Sequence, residues 1–300
     1  MKKNSKIYIA GHRGLVGSAL VRNLKLQGYS NLIVKTHAEL DLLDFNAVAD
    51  FFEKEQLGYV FLAAAKVGGI LANDTYPADF IFKNLQIQNN IIHNAYKNNA
   101  KKLLFLGSSC IYPRDCPQPI KEEYLLTGSL EKTNEAYAVA KIAGIKMCQA
   151  YNKQYGTKYI SVMPTNLYGP NDNFDLKSSH VLPAMIRKFH EAKERKEKEV
   201  VLWGTGGVCR EFLYVDDLAD ACIFLMNNYD SAEIINIGTR SDLTIKELAE
   251  KIKETVEFKG EIKWDISKPD GTKKKNLNID KLNKIGWQSK ISLSDGIRMT

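Results

Sequence analysis

The chain contains few cysteines, and their spacing argues against two kinds of cysteine chemistry. There are five in 300 residues, an odd number, and no two of them form a C-x-x-C pair. A disulfide framework and a cysteine metal site are therefore not expected, and we predict no bound metal. Reduced thiols are typical of the cytoplasm, which is the expected location. The five positions are Cys110, Cys116, Cys148, Cys209 and Cys222.

A long hydrophobic run is also absent. The apolar stretch after Met1-Lys2-Lys3 is about four residues long and ends at Gly11, which is too short for a secretory signal or a membrane span. We therefore expect a soluble protein with no membrane partner.

The sequence lacks the patterns of nucleic-acid-binding proteins. Its net charge of +7 is spread along the chain, and the densest run, Lys193 to Lys198, alternates in sign as a solvated helix end does. There is no basic arm, no zinc-ligand spacing and no aromatic RNA-binding motif, so no nucleic-acid partner is expected. A mildly basic surface suits a substrate that is rich in phosphate.

Short apolar segments alternate with helical segments through the first half of the chain. Strands are expected at about 31–35, 59–64, 102–106 and 159–163, and helices at about 14–27, 44–56, 77–97 and 137–155. Apolar strands linked by helices predict an α/β fold with a doubly wound parallel sheet of the Rossmann type. The pattern loosens from about Leu167, which predicts a second, smaller α/β lobe facing the substrate.

Three glycines follow the first predicted strand. The apolar run 6–10 leads into Gly11, Gly14 and Gly17, and a helical pattern follows. Gly11 allows a tight turn, Gly14 lets the backbone approach a pyrophosphate, and Gly17 lets the helix pack closely on the sheet. Free amides at the helix start would face the phosphates. The alternative is a tight turn without a ligand, but the flanking strand and helix favour a dinucleotide.

Tyr137 and Lys141 are one helical turn apart, so the phenol and the ammonium share one face. A neighbouring lysine favours the phenolate, so we expect Lys141 to lower the pKa of Tyr137 and make it a useful acid for a carbonyl oxygen. The alternative is a surface pair with an extended lysine. Ser108 and Ser109 lie upstream, after another strand, and the residues alone do not choose between them.

Five segments in the same order carry a family resemblance. They are A-G-H-R-G from Ala10, A-A-A-K-V-G-G-I from Ala63, G-S-S-C-I-Y-P from Gly107, M-P-T-N-L-Y-G-P from Met163 and K-P-D-G-T from Lys268. Over nearly its whole length the chain resembles the extended short-chain dehydrogenase/reductase superfamily and, within it, the GDP-L-fucose synthase family. The resemblance implies NADP as cofactor and a GDP-4-keto sugar as substrate. It also implies epimerisation at carbons 3 and 5 and hydride reduction at carbon 4.

The resemblance implies a role for each of five catalytic residues. Tyr137 would be the general acid at carbon 4, Lys141 would bind the nicotinamide ribose, and Ser108 would hydrogen-bond the substrate oxygen. Cys110 and His180 would be the acid/base pair that inverts carbons 3 and 5. Without the resemblance, Cys110 is better explained as a buried small hydrophobe and His180 as a helix cap.

The resemblance also implies the residues that bind the two nucleotides. The GDP moiety would contact Lys188, Trp203, Arg210 and Asp270, with His180 beside the sugar. Cations suit a diphosphate and an indole suits stacking, but Trp203 could equally be a strand core residue and Lys188 a surface charge. The expected cofactor contacts are Gly11, His12, Arg13, Gly14, Leu15, Val16, Gly17, Lys35, His37, Asp41, Leu42, Ala63, Ala64, Leu106, Gly107, Lys141, Pro164, Thr165, Asn166 and Leu167.

The end of the second strand favours NADP over NAD. It offers Lys35-Thr36-His37 instead of an acidic residue, and Arg13 in the glycine loop could meet a 2′-phosphate. The family commonly has an arginine where His37 stands, so weaker and more pH-dependent phosphate discrimination is expected. We expect residues 1–166 to form the NADP-binding domain, with about 211–237 returning to it, and 167–300 to form mainly the GDP-sugar lobe.

Two other functions remain open from the sequence. A reductase acting at carbon 4 of another GDP-4-keto sugar, such as a heptose, would keep the same residues without epimerisation. A non-catalytic NADP-binding regulator would have lost Ser108, Tyr137 and Lys141, which are intact. Helices 77–97 and 137–155 carry apolar residues on more than one face, which predicts a homodimer. The chain stops inside what the family continues as a closing helix, so a shortened or truncated last helix is expected.

Overall fold

The computed structural model describes residues 1–268 and 270–300, which contain twelve strands, ten α-helices and three short 3-10 helices. The strands are β1 Ile7–Ala10, β2 Leu32–Ile33, β3 Tyr59–Leu62, β4 Lys102–Leu106, β5 Tyr159–Pro164, β6 Asn166–Tyr168, β7 Glu199–Trp203, β8 Cys209–Tyr214, β9 Ile235–Ile237, β10 Asp242–Thr244, β11 Glu261–Asp265 and β12 Lys274–Lys275. The helices are α1 Leu15–Leu26, α2 Phe45–Glu55, α3 Ile70–Thr75, α4 Pro77–Lys97, α5 Glu135–Tyr155, α6 Val181–Glu194, α7 Val215–Asn228, α8 Ile245–Val256, α9 Asp280–Ile285 and α10 Leu293–Met299. No helix in these two ranges is long and apolar enough to cross a membrane.

Six strands form a central parallel sheet in the order β2-β1-β3-β4-β5-β9. β1, β4 and β5 are buried along their whole length, because helices cover the sheet. The covering helices form two layers, since α1 packs with α7, whereas α4 packs with both α2 and α5. The doubly wound α/β fold is therefore confirmed. The strand order reverses between β1 and β3, which places the ligand crevice at their carboxyl ends.

The later part of the chain builds a smaller lobe with its own core. Strand β8 pairs antiparallel with β10 and parallel with β6 and β12, and β7 pairs with β11. Its buried core includes Leu182, Phe189, Leu248 and Phe258, and it is separate from the core around the central sheet. The chain returns to the larger lobe at Val215, where α7 packs against α1 and β9 then joins the sheet edge.

Element boundaries differ from the expected ones where the chain turns towards the site. The strand expected at 59–64 ends at Leu62, because Ala63 and Ala64 pass close to the glycine turn. The edge strand expected at 31–35 is reduced to Leu32–Ile33. The helix expected at 77–97 has those bounds, with Pro77 in its first turn, where the missing N–H costs nothing.

Candidate active site

The glycine turn after β1 fits a pyrophosphate. Gly11 has φ +85°, and a Cβ there would lie 2.9 Å from the Cα of Ala64. A Cβ on Gly17 would overlap the Gly11 carbonyl, so α1 packs where only glycine fits. Gly14 caps α1 without a side-chain hydrogen bond, and the first turn of α1 carries no acidic residue. The first amides of α1 are therefore free to bind an anion.

The loop after β2, where the adenosine of the cofactor is expected, carries both basic and acidic side chains. Arg13 and His37 are exposed, and His37 Nδ1 lies 3.6 Å from Asp41 Oδ1. Glu39, which the sequence analysis missed, accepts hydrogen bonds from the backbone N–H and hydroxyl of Thr36, both at 2.7 Å. These bonds, and then the charges of Lys35 and Arg13, lower the pKa of Glu39. The Thr-x-x-Glu spacing was the sequence signal for this turn.

Strand β4 and helix α5 bring together the residues expected to reduce a ketone. Lys141 is only 4% exposed, which rules out the surface-pair alternative, and its Nζ donates to the Leu106 carbonyl at 2.7 Å. That Nζ lies 5.7 Å from the centre of the Tyr137 ring. Ser108 Oγ is 3.0 Å from Cys110 Sγ and accepts from the Cys110 backbone N–H at 3.3 Å. Ser109 is buried, so Ser108 is the more accessible of the two serines.

The expectation that Lys141 lowers the pKa of Tyr137 is wrong in this structure. Burial raises the pKa of Tyr137, the nearby Cys110 raises it further, and Ser108 only partly opposes the rise. Burial also lowers the pKa of Lys141 to about 8, with Cys110 opposing. Lys141 is not among the groups that shift the pKa of Tyr137, and desolvation of the half-buried phenol sets the direction of the shift. The phenol is therefore protonated at neutral pH, which is the form that an acid requires.

Cys110 and His180 belong to different lobes, and Lys275 lies near both of them. Cys110 is half-buried beyond β4, and His180 is the first residue before α6. His180 occupies the N-cap position of α6, as the helix-cap alternative requires, but its side chain makes no capping hydrogen bond and is therefore available for another role. Desolvation lowers the pKa of His180, although part of the residue is exposed, and the charge of Lys275 lowers it further.

Lys275 is a candidate site residue that the sequence analysis missed. It lies on β12 directly beside Arg210 of β8, and burial lowers its pKa while the charge of Cys110 opposes this. Because it influences both Cys110 and His180, it is close to both ends of the expected acid/base pair. The only sequence signal was the run of three lysines from Lys273, which is more often a solvated surface.

The residues expected to bind the GDP moiety lie in the smaller lobe. Trp203 is 56% exposed, which excludes the strand-core explanation, and the ammonium groups of Lys188 and Lys268 lie 5.9 and 5.6 Å from its ring centre. Arg210 Nη1 donates to the Cys209 carbonyl at 2.8 Å. Burial lowers the pKa of Arg210, while Cys209 and Asp270 oppose this.

The carboxylate of Asp270 forms hydrogen bonds within the protein. Its carboxylate accepts from the Thr205 backbone N–H at 2.7 Å and from the Thr205 hydroxyl at 2.8 Å. These bonds hold the turn between β7 and β8. The preceding Pro269, part of the K-P-D-G-T segment, lies outside the described residues. In the described part of the chain, no group of three metal-ligating side chains comes together.

The remaining expected cofactor contacts lie at the carboxyl edge of the sheet. Ala63 and Ala64 follow β3, and Leu106 and Gly107 close β4. Residues 164–167 run from β5 into β6, where the Thr165 backbone N–H donates to the Ile237 carbonyl at 3.0 Å. The buried acidic residue Glu211 supports this edge from β8. Its backbone carbonyl accepts from the Asn166 side chain at 2.8 Å.

Comparison with known proteins places these features in a family. The sequence profile of the NAD dependent epimerase/dehydratase family matches residues 7–238. GDP-L-fucose synthase 1 of Arabidopsis thaliana is 62% identical over 298 residues, covering 99% of this chain and 92% of that protein. GDP-L-fucose synthase of Escherichia coli K12 is 54% identical over 304 residues, covering 98% and 95%. A solved GDP-mannoheptose C4 reductase from Campylobacter jejuni with NADP bound has a TM-score of 0.92 at 46% identity, covering 100% and 98%.

Proposed function

The chain belongs to the NAD dependent epimerase/dehydratase family, in the branch that contains the GDP-L-fucose synthases, and we propose that it makes GDP-L-fucose from GDP-4-keto-6-deoxy-D-mannose with NADPH. The reaction combines epimerisation at carbons 3 and 5 with reduction at carbon 4. The proposal rests on the clustering of Ser108, Cys110, Tyr137 and Lys141 at the end of β4, and on Lys275, whose pKa is affected by Cys110 and whose charge acts on His180.

We assign the reduction at carbon 4 to three residues. Bound NADPH supplies the hydride. Tyr137, which burial keeps protonated, gives its proton to the oxygen at carbon 4, and Ser108 hydrogen-bonds that oxygen. Lys141 binds the nicotinamide ribose and remains available for it, because its Nζ has a single carbonyl partner among the described residues.

The glycine turn and the loops around it fit NADP. The free amides of α1 would hold the pyrophosphate, and Arg13, Lys35 and His37 would meet the 2′-phosphate. Glu39 beside Arg13 and Lys35 adds a negative charge at that end. With His37 in place of a guanidinium, this charge supports only a moderate preference for NADPH over NADH.

Cys110 and His180 carry the epimerase half of the proposal. The ketone at carbon 4 acidifies carbons 3 and 5, so a base on one face of the ring and an acid on the other can invert them. Cys110 takes the proton and His180 returns one to the opposite face. Lys275 would place a positive charge near both residues of this pair.

The GDP moiety lies along the smaller lobe in this proposal. Arg210 and Lys188 pair with the diphosphate, and the exposed ring of Trp203 stacks on the base. Asp270 orders the turn beneath that base through Thr205, in addition to any contact with the nucleoside.

The deciding experiment is NMR analysis of products after incubation with NADPH in D2O. GDP-4-keto-6-deoxymannose should yield GDP-L-fucose with deuterium at carbons 3 and 5. A GDP-4-keto-heptose reduced at carbon 4 without deuterium, together with failure on the deoxymannose, would identify a C4 reductase instead. NADPH oxidation with either sugar excludes a non-catalytic regulator.

A Cys110→Ser variant tests the epimerase half separately. It should strongly slow deuterium uptake into the sugar while leaving Ser108, Tyr137 and Lys141 in place, so residual product should include unepimerised 4-reduced sugar. Unchanged turnover, with no deuterium uptake by the unmodified protein, would remove the epimerase activity from the proposal.

The domain organisation, assembly and location are also part of this proposal. Residues 1–166 with the later return bind NADP, and most of 167–300 binds the GDP-sugar. Phe82 and Val139, exposed at 61% and 40% on α4 and α5, would be covered in a homodimer. A monomer mass by light scattering at micromolar concentration would contradict the dimer. Five free thiols suit the cytoplasm.

A further inference from the structure

The loop between β3 and α3, residues 66–69, is held by two buried asparagines. Asn84 is 2% exposed, accepts from the Lys66 backbone N–H at 2.9 Å and donates to the Lys66 carbonyl at 3.0 Å. Asn73 donates to the carbonyls of Gly68 at 2.8 Å and Gly69 at 3.0 Å. The loop is therefore fixed in place although it contains two consecutive glycines.

Gly69 brings this loop into backbone contact with the segment that precedes His180. Its N–H donates to the Ser178 carbonyl at 2.9 Å. A Cβ on Gly69 would lie 2.7 Å from the Ser179 carbonyl oxygen, which is closer than a carbon can approach without displacement. The φ of Gly69 is −68°, which any residue can adopt, so this position requires small size and not backbone freedom.

The segment 175–179 is stiffened by its own hydrogen bonds. Asp175 Oδ1 accepts from the backbone N–H of Ser178 at 3.0 Å and from its hydroxyl at 2.9 Å. The Asp175 carbonyl accepts from the Ser179 N–H at 2.8 Å. A shift imposed at Ser178 or Ser179 is therefore passed on to the next residue, His180, and is not absorbed by a flexible turn.

We propose that Gly69 is a positioning residue for His180. Asn73 supports this role by holding the loop that contains Gly69. The inference rests on the proposed function, because it assigns Gly69 to the epimerase half of that reaction. The hydrogen bonds of Gly69 and Asn73, and those within segment 175–179, do not involve Ser108, Tyr137 or Lys141, so we expect hydride transfer to be retained when Gly69 is changed.

Two assays separate the half-reactions. Deuterium uptake into GDP-4-keto-6-deoxymannose with NADP⁺ bound measures the epimerase half, because the oxidised cofactor has no hydride to give. Oxidation of GDP-L-fucose by NADP⁺ measures hydride transfer between carbon 4 and the cofactor without prior epimerisation. Each variant is measured in both assays, with KM and kcat determined separately.

Gly69→Ala should slow deuterium uptake by at least about 10-fold in kcat, because misplacing a catalytic group by about 1 Å can cost up to about 100-fold. Its KM for the sugar nucleotide and its rate of GDP-L-fucose oxidation should stay within about 2-fold of the unmodified protein. Asn73→Ser, whose shorter side chain does not span both carbonyls, should show the same selectivity without a clash. Gly58→Ala, where a Cβ would meet only the Lys6 carbonyl at 3.3 Å, is the matched control.

If Gly69→Ala and Asn73→Ser each lose equal rates in both assays, the contact between loop 66–69 and segment 175–179 has only a structural role, and the inference is overturned. Unchanged deuterium uptake in both variants would overturn it as well. If Gly69→Ala does not fold, Asn73→Ser decides between these outcomes. If the unmodified protein takes up no deuterium, the proposed function fails first. Uptake that is normal in the unmodified protein and in both variants contradicts only the role of Gly69.

Discussion

Strand β4 has a buried lysine ammonium at each of its ends, and the two differ in how they are satisfied. Lys102 begins the strand and the Nζ of Lys141 bonds to its last residue, Leu106, and both lysines are 4% exposed. Lys102 Nζ lies within hydrogen-bond distance of three backbone carbonyls at the end of α7 and its C-cap, and of the Asp230 carboxylate at 2.8 Å. Lys141 has one carbonyl partner among the described residues.

The number of hydrogen-bond partners distinguishes Lys102, whose charge we interpret as structural, from Lys141, whose charge we interpret as functional. Burial lowers the pKa of both lysines, but Asp230 opposes the shift at Lys102, whereas Lys141 is lowered to about 8. A buried charge with too few partners destabilises the fold unless a ligand completes its contacts. The amino end of the sheet is thus built for stability, and in the proposed function the groups at the carboxyl end gain their partners when cofactor and substrate bind.

Removing Lys102 should have the largest effect on stability. Lys102→Met leaves three backbone carbonyls without their ammonium partner, whereas the half-exposed Asp230 carboxylate keeps its bond from Lys158 at 2.8 Å, so we expect a loss of about 2–4 kcal/mol in the free energy of unfolding. Urea unfolding at pH 7 measures it, with the neighbouring exposed Lys101→Met as the control. At temperatures where the variant stays folded, its kcat should be normal. A loss equal to that of Lys101→Met would remove the structural role.

At the other end of the strand, Tyr137→Phe should stop chemistry without weakening the fold. The ring still packs edge-on against Phe80, at 6.2 Å between centres, and only the proton donor is lost. The rate of NADPH oxidation should fall by at least about 100-fold, the scale for a positioned acid, while NADPH still binds. Tyr155→Phe at the end of the same helix is the control. Normal turnover by Tyr137→Phe would exclude it as the acid.

Lys141→Met should have the opposite effect to Lys102→Met, because we expect it to stabilise the protein when no cofactor is bound. The pKa of Lys141 is lowered from 10.5 to about 8, so its penalty is complete below pH 8 and disappears as the pH rises towards 10.5. At pH 7 we expect a gain of about 1–3 kcal/mol, reduced from the full shift by the lost bond to Leu106.

Urea unfolding at pH 7 and pH 10 measures this gain, and the exposed Lys146→Met on the same helix is the control. The variant should lose most of its activity. A loss of stability at pH 7 would contradict the view that Lys141 is held for a ligand.

Sequence patterns predicted the position of the candidate site but not its electrostatics. The glycine spacing, the strand ends and the Tyr-x-x-x-Lys pair are local, so the fold and the carboxyl-edge position of the site could be predicted from them. The pKa of Tyr137 could not, because the four-residue spacing reveals proximity to Lys141 but not burial. Lys275 and Glu39 were missed for a related reason. Lys275 reaches the cleft only through the pairing of β12 with β8, a contact between distant parts of the chain.

Asp172, in the loop that follows β6, should give the smallest effect and extends the comparison to an acid. Burial raises its pKa from 3.8 to about 6, and its Oδ2 is buried without a hydrogen-bond partner in the described part of the chain. A raised acid pKa means that stability is complete below pH 3.8 and is lost as the pH rises through about 6. Asp172→Asn should therefore stabilise the protein above pH 6 and not at all below pH 4. We expect a gain of only about 1 kcal/mol, because the amide keeps the bond from Asn173 but brings its own unpaired N–H. Unfolding measured from pH 4 to pH 8 tests this, with the exposed Asp50→Asn as the control. A gain that does not change with pH would mean that ionisation of Asp172 is not the cause. Lys141 would then be the only one of these two groups whose buried charge destabilises the fold.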